Sequence, residues 1–129
     1  SSAHGAKILE QAAKTAHATV VTIHAQCAPH VGPNANDHYI NDVLLPEIED
    51  RLIQAGDSFG EAAELLSADS LDFNGKKAFR TGCVATSRAS LKLGTAKLKS
   101  VDAGVYTPFD IEFEDIKTDI DSARQDSGC

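Results

Sequence analysis

The sequence predicts an all-α fold, an up-down-up-down four-helix bundle with an additional C-terminal amphipathic helix. Apolar residues recur at the three- and four-residue intervals of a helix along most of the chain. The 129 residues include 5% aromatics and neither Trp nor Met. A core built mainly from Ala, Leu, Ile and Val suits closely packed helices better than a β-sandwich. We assign the bundle to residues 1–100 and the acidic extension with its helix to residues 101–129.

The first helix is predicted from Ala3 to Ala28. Its apolar positions are spaced by three or four residues, and they are Leu9, Ala12, Ala16, Val20, Ile23 and Cys27. The β-branched run at residues 19–23 by itself favours a strand, and we expect the flanking periodicity to override it. Pro29 and Pro33 end the helix and begin a loop.

The second helix is predicted to begin near Asn36 or Asp37, either of which can cap it. Pro46 lies inside its apolar pattern, lacks a backbone N–H and crowds the preceding turn. We therefore expect a kink or break at Leu45. Gly56 is expected to close the helix as a left-handed C-cap.

A short third helix and a long fourth helix complete the predicted bundle. Ser58 and Glu61 have the spacing of a capping box, which places the third helix at Phe59 to Ala68. A turn at residues 69–75 then leads to the fourth helix, from Lys76 to Ser100.

The C-terminal segment is predicted to be helical. Thr107 and Pro108 form a cap followed by proline at the first helical position. The alternative is a strand, because Phe109, Ile111 and Phe113 alternate with acidic residues. We prefer the helix because the helical spacing extends further, to Ile116 and Ile120.

The fourth helix carries most of the positive charge. The chain has 12 basic and 19 acidic residues and a net charge of −7, yet Phe73 to Val101 contains seven of the basic residues and no acidic one. By helix geometry, four of the seven lie within about 60° of one another, and the other three lie elsewhere around the helix. These four form the basic stripe, our predicted partner-docking surface: Lys77, Arg88, Lys92 and Lys99.

The basic stripe lies between two apolar sides of its helix. One side consists mainly of small residues, and on the other Val84, Leu91 and Leu98 repeat every seven residues. We expect neighbouring helices to cover both sides. Three occupants of the stripe stay open: the chain's own acidic C-terminal segment, an acidic partner protein and an anionic ligand.

The three cysteines permit more than one pairing. In the predicted bundle Cys27, late in the first helix, and Cys83, early in the fourth, lie at the same level of antiparallel neighbours. A Cys27–Cys83 disulfide is therefore our candidate bridge, and two buried thiols are the alternative. Cys129 is expected to pair with either residue or to be free.

No motif predicts catalysis, a metal or a cofactor. His17 and His24 share a helix face but stand about 10 Å apart along the axis, too far to chelate one ion as a pair. The nucleophile candidates Ser87 and Ser90 have no His or acid beside them in the sequence. We therefore predict no enzymatic activity, although a nucleophile and a base can also meet only in the fold.

Composition also limits the partners. A net charge of −7 argues against nucleic acid, whose phosphates repel an acidic surface. No apolar run approaches the roughly 18 residues of a membrane-spanning helix. The chain begins with Ser1 and lacks Met, as expected of a processed exported or organellar protein or of a trimmed chain.

The Ser1-Ser2-Ala3 start, the basic helix from Lys76 to Lys99 and the acidic tail resemble the small extrinsic lumenal subunits of photosystem II, of the helical-bundle type found in diatoms. This resemblance covers the general plan of the whole chain. It implies a non-enzymatic subunit, peripheral in the thylakoid lumen, that docks on the complex and helps to retain its inorganic cofactors in support of oxygen evolution.

The rival hypothesis is a secreted bundle that binds a small apolar or anionic ligand between its helices, or that acts as an inhibitor. The chain is similar to the secreted four-helix inhibitors of plant cell-wall enzymes. That family carries two pairs of cysteines, whereas this chain has three cysteines in all. The ligand-binding hypothesis predicts a sizeable cavity between helices.

Overall fold

The computed structural model describes all 129 residues, and every regular element in it is helical. The all-α prediction is therefore confirmed. Short 3₁₀ turns follow the first helix at Ala28–His30 and precede the last one at Thr107–Phe109. The α-helices are α1 (Ala3–Cys27), α2 (Ala35–Tyr39), α3 (Leu45–Ala68), α4 (Phe73–Ser100) and α5 (Asp110–Asp126).

A π-helical turn at Ile40–Leu44 joins α2 and α3 into one uninterrupted helix. The backbone is right-handed helical at both ends of the turn, and the Leu45 N–H donates to the Ile40 carbonyl five residues earlier. The wider turn lies directly before Pro46, whose ring would crowd the Asp42 carbonyl in a regular α-helix. Of the predicted kink or break at Leu45, the break is wrong because the π turn accommodates the proline, and the kink stays a prediction.

The joined helix also continues through Gly56 to Ala68, so the predicted second and third helices are one. No proline follows Gly56 in this stretch, and Gly56 lies buried against the Lys14 side chain of α1. Ser58 lies within the helix and forms no capping box with Glu61. The structure thus contains four long helices, counting α2, the π turn and α3 as one.

The caps of the second and third long helices differ from those predicted. The Asn34 side chain accepts the Asp37 N–H at 3.0 Å and caps α2 in place of Asn36 or Asp37. The Asp72 carboxylate accepts the Gly75 N–H at 2.8 Å and caps α4. Because of this cap, α4 begins at Phe73, three residues earlier than predicted.

Contacts between the long helices show that neighbours along the chain run in opposite directions. In each pair, residue numbers rise along one helix as they fall along the other. The pairs are Lys14 with Gly56 and His24 with Glu49; Phe59 with Gly82 and Glu47 with Lys92; and Asp121 with Ser90 and Glu114 with Lys97. As a consequence, α1 and α4 run in the same direction.

The C-terminal helix is the fourth helix of the fold and not an addition to four others. Phe113, Ile116 and Ile120 are buried in the same core cluster as Val20 of α1 and Leu93 of α4. The helical interpretation of this segment is therefore confirmed over the strand. The division of the chain at residue 100 stays a prediction.

The loop between α4 and α5 is held by the buried carboxylate of Asp37, which is 2% exposed. Its oxygens accept the backbone N–H groups of Gly104 at 3.0 Å, Val105 at 2.9 Å and Tyr106 at 3.1 Å. A Cβ at position 104 would lie 2.6 Å from this carboxylate, so the site requires glycine. Burial raises the pKa of Tyr106, whose hydroxyl donates to Asn41 at 2.7 Å. These bonds fix the point from which α5 starts.

The structure pairs Cys83 with Cys129, and their Cα atoms are 5.5 Å apart. The predicted Cys27–Cys83 bridge is wrong because α1 and α4 run in the same direction. The end of α1 and the start of α4 consequently lie at opposite ends of the fold. Cys27 is a free thiol buried in the core, where burial, together with the charges of Asp37 and Glu112, raises its pKa to about 11.

The C-terminus reaches Cys83 because α5 ends in a tight cap. Gly128 has a φ of +103°, a left-handed conformation that glycine adopts without a steric penalty. The Cys129 N–H donates to the Arg124 carbonyl at 2.9 Å, as in a Schellman motif. The Arg124 guanidinium in turn donates to the Cys83 carbonyl at 3.2 Å, which holds α5 against α4 beside the bridge.

We expect Cys129→Ser to lower the free energy of unfolding by about 4 kcal/mol, because the bridge closes a loop with a sequence separation of 46 residues. Urea denaturation of the wild-type protein and of the Cys129→Ser variant measures this difference. Peptide mapping of the unreduced wild-type protein provides the control. A peptide linked through Cys27 in that map would contradict the pairing.

We expect opposite effects from two glycine substitutions in α4. In Gly82→Ala the new Cβ would lie 2.7 Å from the Phe59 ring, which should lower the free energy of unfolding by about 1–3 kcal/mol. In Gly94→Ala the nearest atom is a Lys117 side-chain carbon at 3.5 Å. The better helix propensity should then raise the free energy of unfolding by up to about 1 kcal/mol. Thermal denaturation followed by circular dichroism tests both, and equal effects at the two sites would refute this account of the packing.

Candidate docking surface

One side of α4 faces solvent along its whole length. Val84, Leu91 and Leu98 are 49%, 69% and 72% exposed, so the prediction that a neighbouring helix covers them is wrong. The reason is that α5 packs on the side of Thr86 and Ser90, where Arg124 and Asp121 bind them. We name this surface the α4 outer face: Phe73, Lys77, Arg80, Val84, Arg88, Leu91 and Leu98.

The structure divides the basic stripe into two parts. The ammonium group of Lys92 lies 2.6 Å from the Glu47 carboxylate of α3. That of Lys99 lies over the Tyr39 ring of α2, 4.9 Å from its centroid, in cation–π geometry. Two of the four predicted docking residues therefore have partners within the chain.

Lys77 and Arg88 form no ion pair within the chain, since no carboxylate lies within 4.0 Å of either. They line a shallow groove of about 400 Å³ between α3 and α4, together with Gln54, Thr81, Val84, Ala85 and a third cation, Arg80. Arg80 also has no ion pair. Arg80 lies outside the predicted basic stripe, although its distance of three residues from Lys77 is itself a helical neighbour spacing.

The acidic C-terminal segment does not cover the basic stripe. Glu114 pairs with Lys97 at 3.4 Å, and Asp121 pairs with Lys117 of the same helix at 2.9 Å. Both pairs lie on the side where α5 packs against α4. The acidic residues of α5 therefore form no ion pair with the basic stripe. One of the four cations of the stripe, Lys92, is paired with Glu47 of α3.

A partly buried polar cluster between α4 and α5 brings together residues that the sequence did not connect. The Ser90 hydroxyl donates to Asp121 at 2.5 Å, and the Lys117 ammonium donates to Ser90 and to Asp121, both at 2.9 Å. Burial raises the pKa of Asp121, but these hydrogen bonds and the charges of Lys117 and Arg124 outweigh burial and hold the pKa below its ordinary value. Ser90 is 4% exposed, so the cluster joins two helices and does not present a nucleophile.

The histidines and carboxylates do not converge on a metal site. No group of three or more His, Cys, Asp or Glu side chains has the geometry to hold an ion. His24 instead binds Glu49 across α1 and α3, with 2.6 Å between Nδ1 and Oε1. None of the helices has both the length and the apolar character required to cross a bilayer.

A second concave surface lies between α1 and α5. It is a groove of about 340 Å³ whose floor is apolar, formed by Ile8, Ala12, Ala16 and Ile116. Ala12 and Ala16 are small residues and fill little of this space. Polar groups form its rim: Gln11, Thr15, Thr19 and Asp119.

Comparisons of the chain with protein-family models, with curated proteins and with solved structures gave no match. The surface chemistry of the fold is therefore the basis for assigning a function.

Proposed function

We propose that this protein is a non-enzymatic accessory subunit that docks electrostatically on a larger protein assembly with an acidic surface. In this proposal the four long helices form an up-down-up-down bundle, and α4 provides the docking surface. The observation that carries the proposal is the cluster of Lys77, Arg80 and Arg88 on the α4 outer face. These are three cations without an ion pair in a protein whose net charge is −7.

Unpaired cations beside exposed apolar side chains are typical of a surface that another protein covers. The cations attract and orient an acidic partner at long range. Exposed residues such as Leu91 and Leu98 then add apolar area that leaves water on contact. The acidic remainder of the surface disfavours nucleic acid.

The first assembly to test is photosystem II, on the basis of the sequence resemblance. In this form of the proposal the protein is peripheral in the thylakoid lumen and supports oxygen evolution. Photosystem II particles depleted of their extrinsic subunits are the appropriate probe. Binding to these particles at low salt that is lost at high salt supports this assignment, and no binding refutes it.

We expect the double substitution Lys77→Glu and Arg88→Glu to weaken docking about tenfold or more, because it replaces attraction by repulsion at two contacts. The control is Lys7→Glu, which changes an exposed residue of α1 outside the α4 outer face. Binding to the depleted particles is measured by co-sedimentation at several salt concentrations. Electrostatic docking is wrong if binding does not change with salt or if the control weakens it equally.

A second candidate function is the binding of a small apolar ligand in the groove between α1 and α5. Its apolar floor and polar rim are the usual chemistry of a ligand site, and its volume of about 340 Å³ lies within the range of small-molecule pockets. An apolar ligand with a polar end group would fit this surface.

We expect a fluorescent apolar probe, anilinonaphthalene sulfonate, to bind this groove and raise the melting temperature of the protein. Ala12→Phe should abolish the effect because the ring fills the groove. Ala18→Phe is the matched control, since Ala18 lies on α1 but does not line the groove. Equal probe binding by both variants would place the probe elsewhere and refute the groove as its site.

A further inference from the structure

We infer that the docking partner binds through an acidic amphipathic α-helix, which packs side by side along the α4 outer face. This inference rests on the proposed docking function and specifies its partner. Three observations carry it: the spacing of the exposed apolar residues of this face, the position of its cations and the poor match of α4 and α5 of a second copy to it.

The spacing of the exposed apolar residues of α4 matches the seven-residue repeat of a partner helix packed alongside it. Val84, Leu91 and Leu98 are seven residues apart, which places them about 10.5 Å from one another on a line nearly parallel to the helix axis. A partner helix with an apolar residue every seven positions has the same repeat. Side chains on one face of a strand repeat every 6–7 Å or so, and an extended partner would therefore fall out of register.

The cations define the charge of this partner helix. Lys77, Arg80 and Arg88 lie on both sides of Val84 along α4. A partner with Glu or Asp beside its apolar line would pair with them as it docks. From Lys77 to Leu98 the α4 outer face extends over 22 residues, or about 32 Å along the helix axis, which is the length of a partner helix of about 20 residues.

Neither α4 nor α5 of a second copy supplies such a helix. Two α4 outer faces placed together would bring the cations of both copies into one interface, and like charges in contact oppose binding. The α5 helix is acidic, but Ile111 is its one exposed large apolar residue, because Phe113, Ile116 and Ile120 are buried. It therefore lacks the apolar line that would match Leu91 and Leu98.

The test uses a designed helical peptide of 21 residues with Leu at every seventh position and Glu at the flanking positions. A control peptide has the same composition, with its Leu residues distributed around the helix. Fluorescence anisotropy measures the binding of each peptide to the folded protein. We expect the control peptide to bind about tenfold more weakly, because it cannot bury its leucines together.

Two variants of the protein test the position of the contact. Leu91→Ser should weaken binding of the designed peptide about fivefold or more, because one exposed leucine contact is lost. Ile111→Ser is the matched control, since both residues are 69% exposed and Ile111 lies on α5. Both positions are on the surface, and circular dichroism verifies that both variants fold.

The outcomes separate this inference from the proposed function. Equal binding of the two peptides, or no binding of either, overturns the helical partner. Binding to vesicles of phosphatidylserine and phosphatidylcholine without peptide binding, or a dimer in sedimentation that Leu91→Ser dissociates, also overturns it and assigns the α4 outer face to a membrane or to a second copy. The docking function is tested separately, by the salt dependence and charge reversal of binding to the depleted particles.

Discussion

The π-helical turn at Ile40–Leu44 determines the arrangement of the other helices. It allows the chain to pass Pro46 without leaving the helical conformation, so that α2 and α3 act as one long helix. With one helix in place of two, α1 and α4 run in the same direction. Cys27 and Cys83 then lie at opposite ends of the fold, and α5 becomes the fourth helix. In this arrangement the end of α5 meets α4 at Cys83, where Cys129 forms the disulfide.

The attachment of α5 determines which side of α4 stays exposed. At its start, the Asp37 carboxylate holds the preceding loop, and at its end Cys129 is bonded to Cys83. Between these points Asp121 and Arg124 bind the Ser90 and Thr86 side chains. These contacts occupy the inner side of α4. The acidic side chains of α5 that pair with cations are therefore directed away from the α4 outer face.

The functional proposal follows from this unequal distribution of charge partners. Lys92 and Lys99 have a carboxylate and an aromatic ring within the chain, whereas Lys77, Arg80 and Arg88 have no carboxylate within ion-pair distance. Exposed ion pairs contribute little to stability, so the unpaired cations are of little consequence to the fold. Their position beside an exposed apolar line instead suits recognition, in which charge orients the partner and apolar area stabilises the complex.

The sequence by itself determined the helical class, the amphipathic α5 and the concentration of positive charge on α4. These properties follow from residue spacing and composition, which are local. Only the tertiary structure decided the helix count, because the spacing around Pro46 does not reveal whether the turn widens or breaks. It likewise decided the disulfide and the exposure of Leu91 and Leu98, since both depend on which helices become neighbours. The partners of Lys92 and Ser90 are distant in sequence, so no local pattern could identify them.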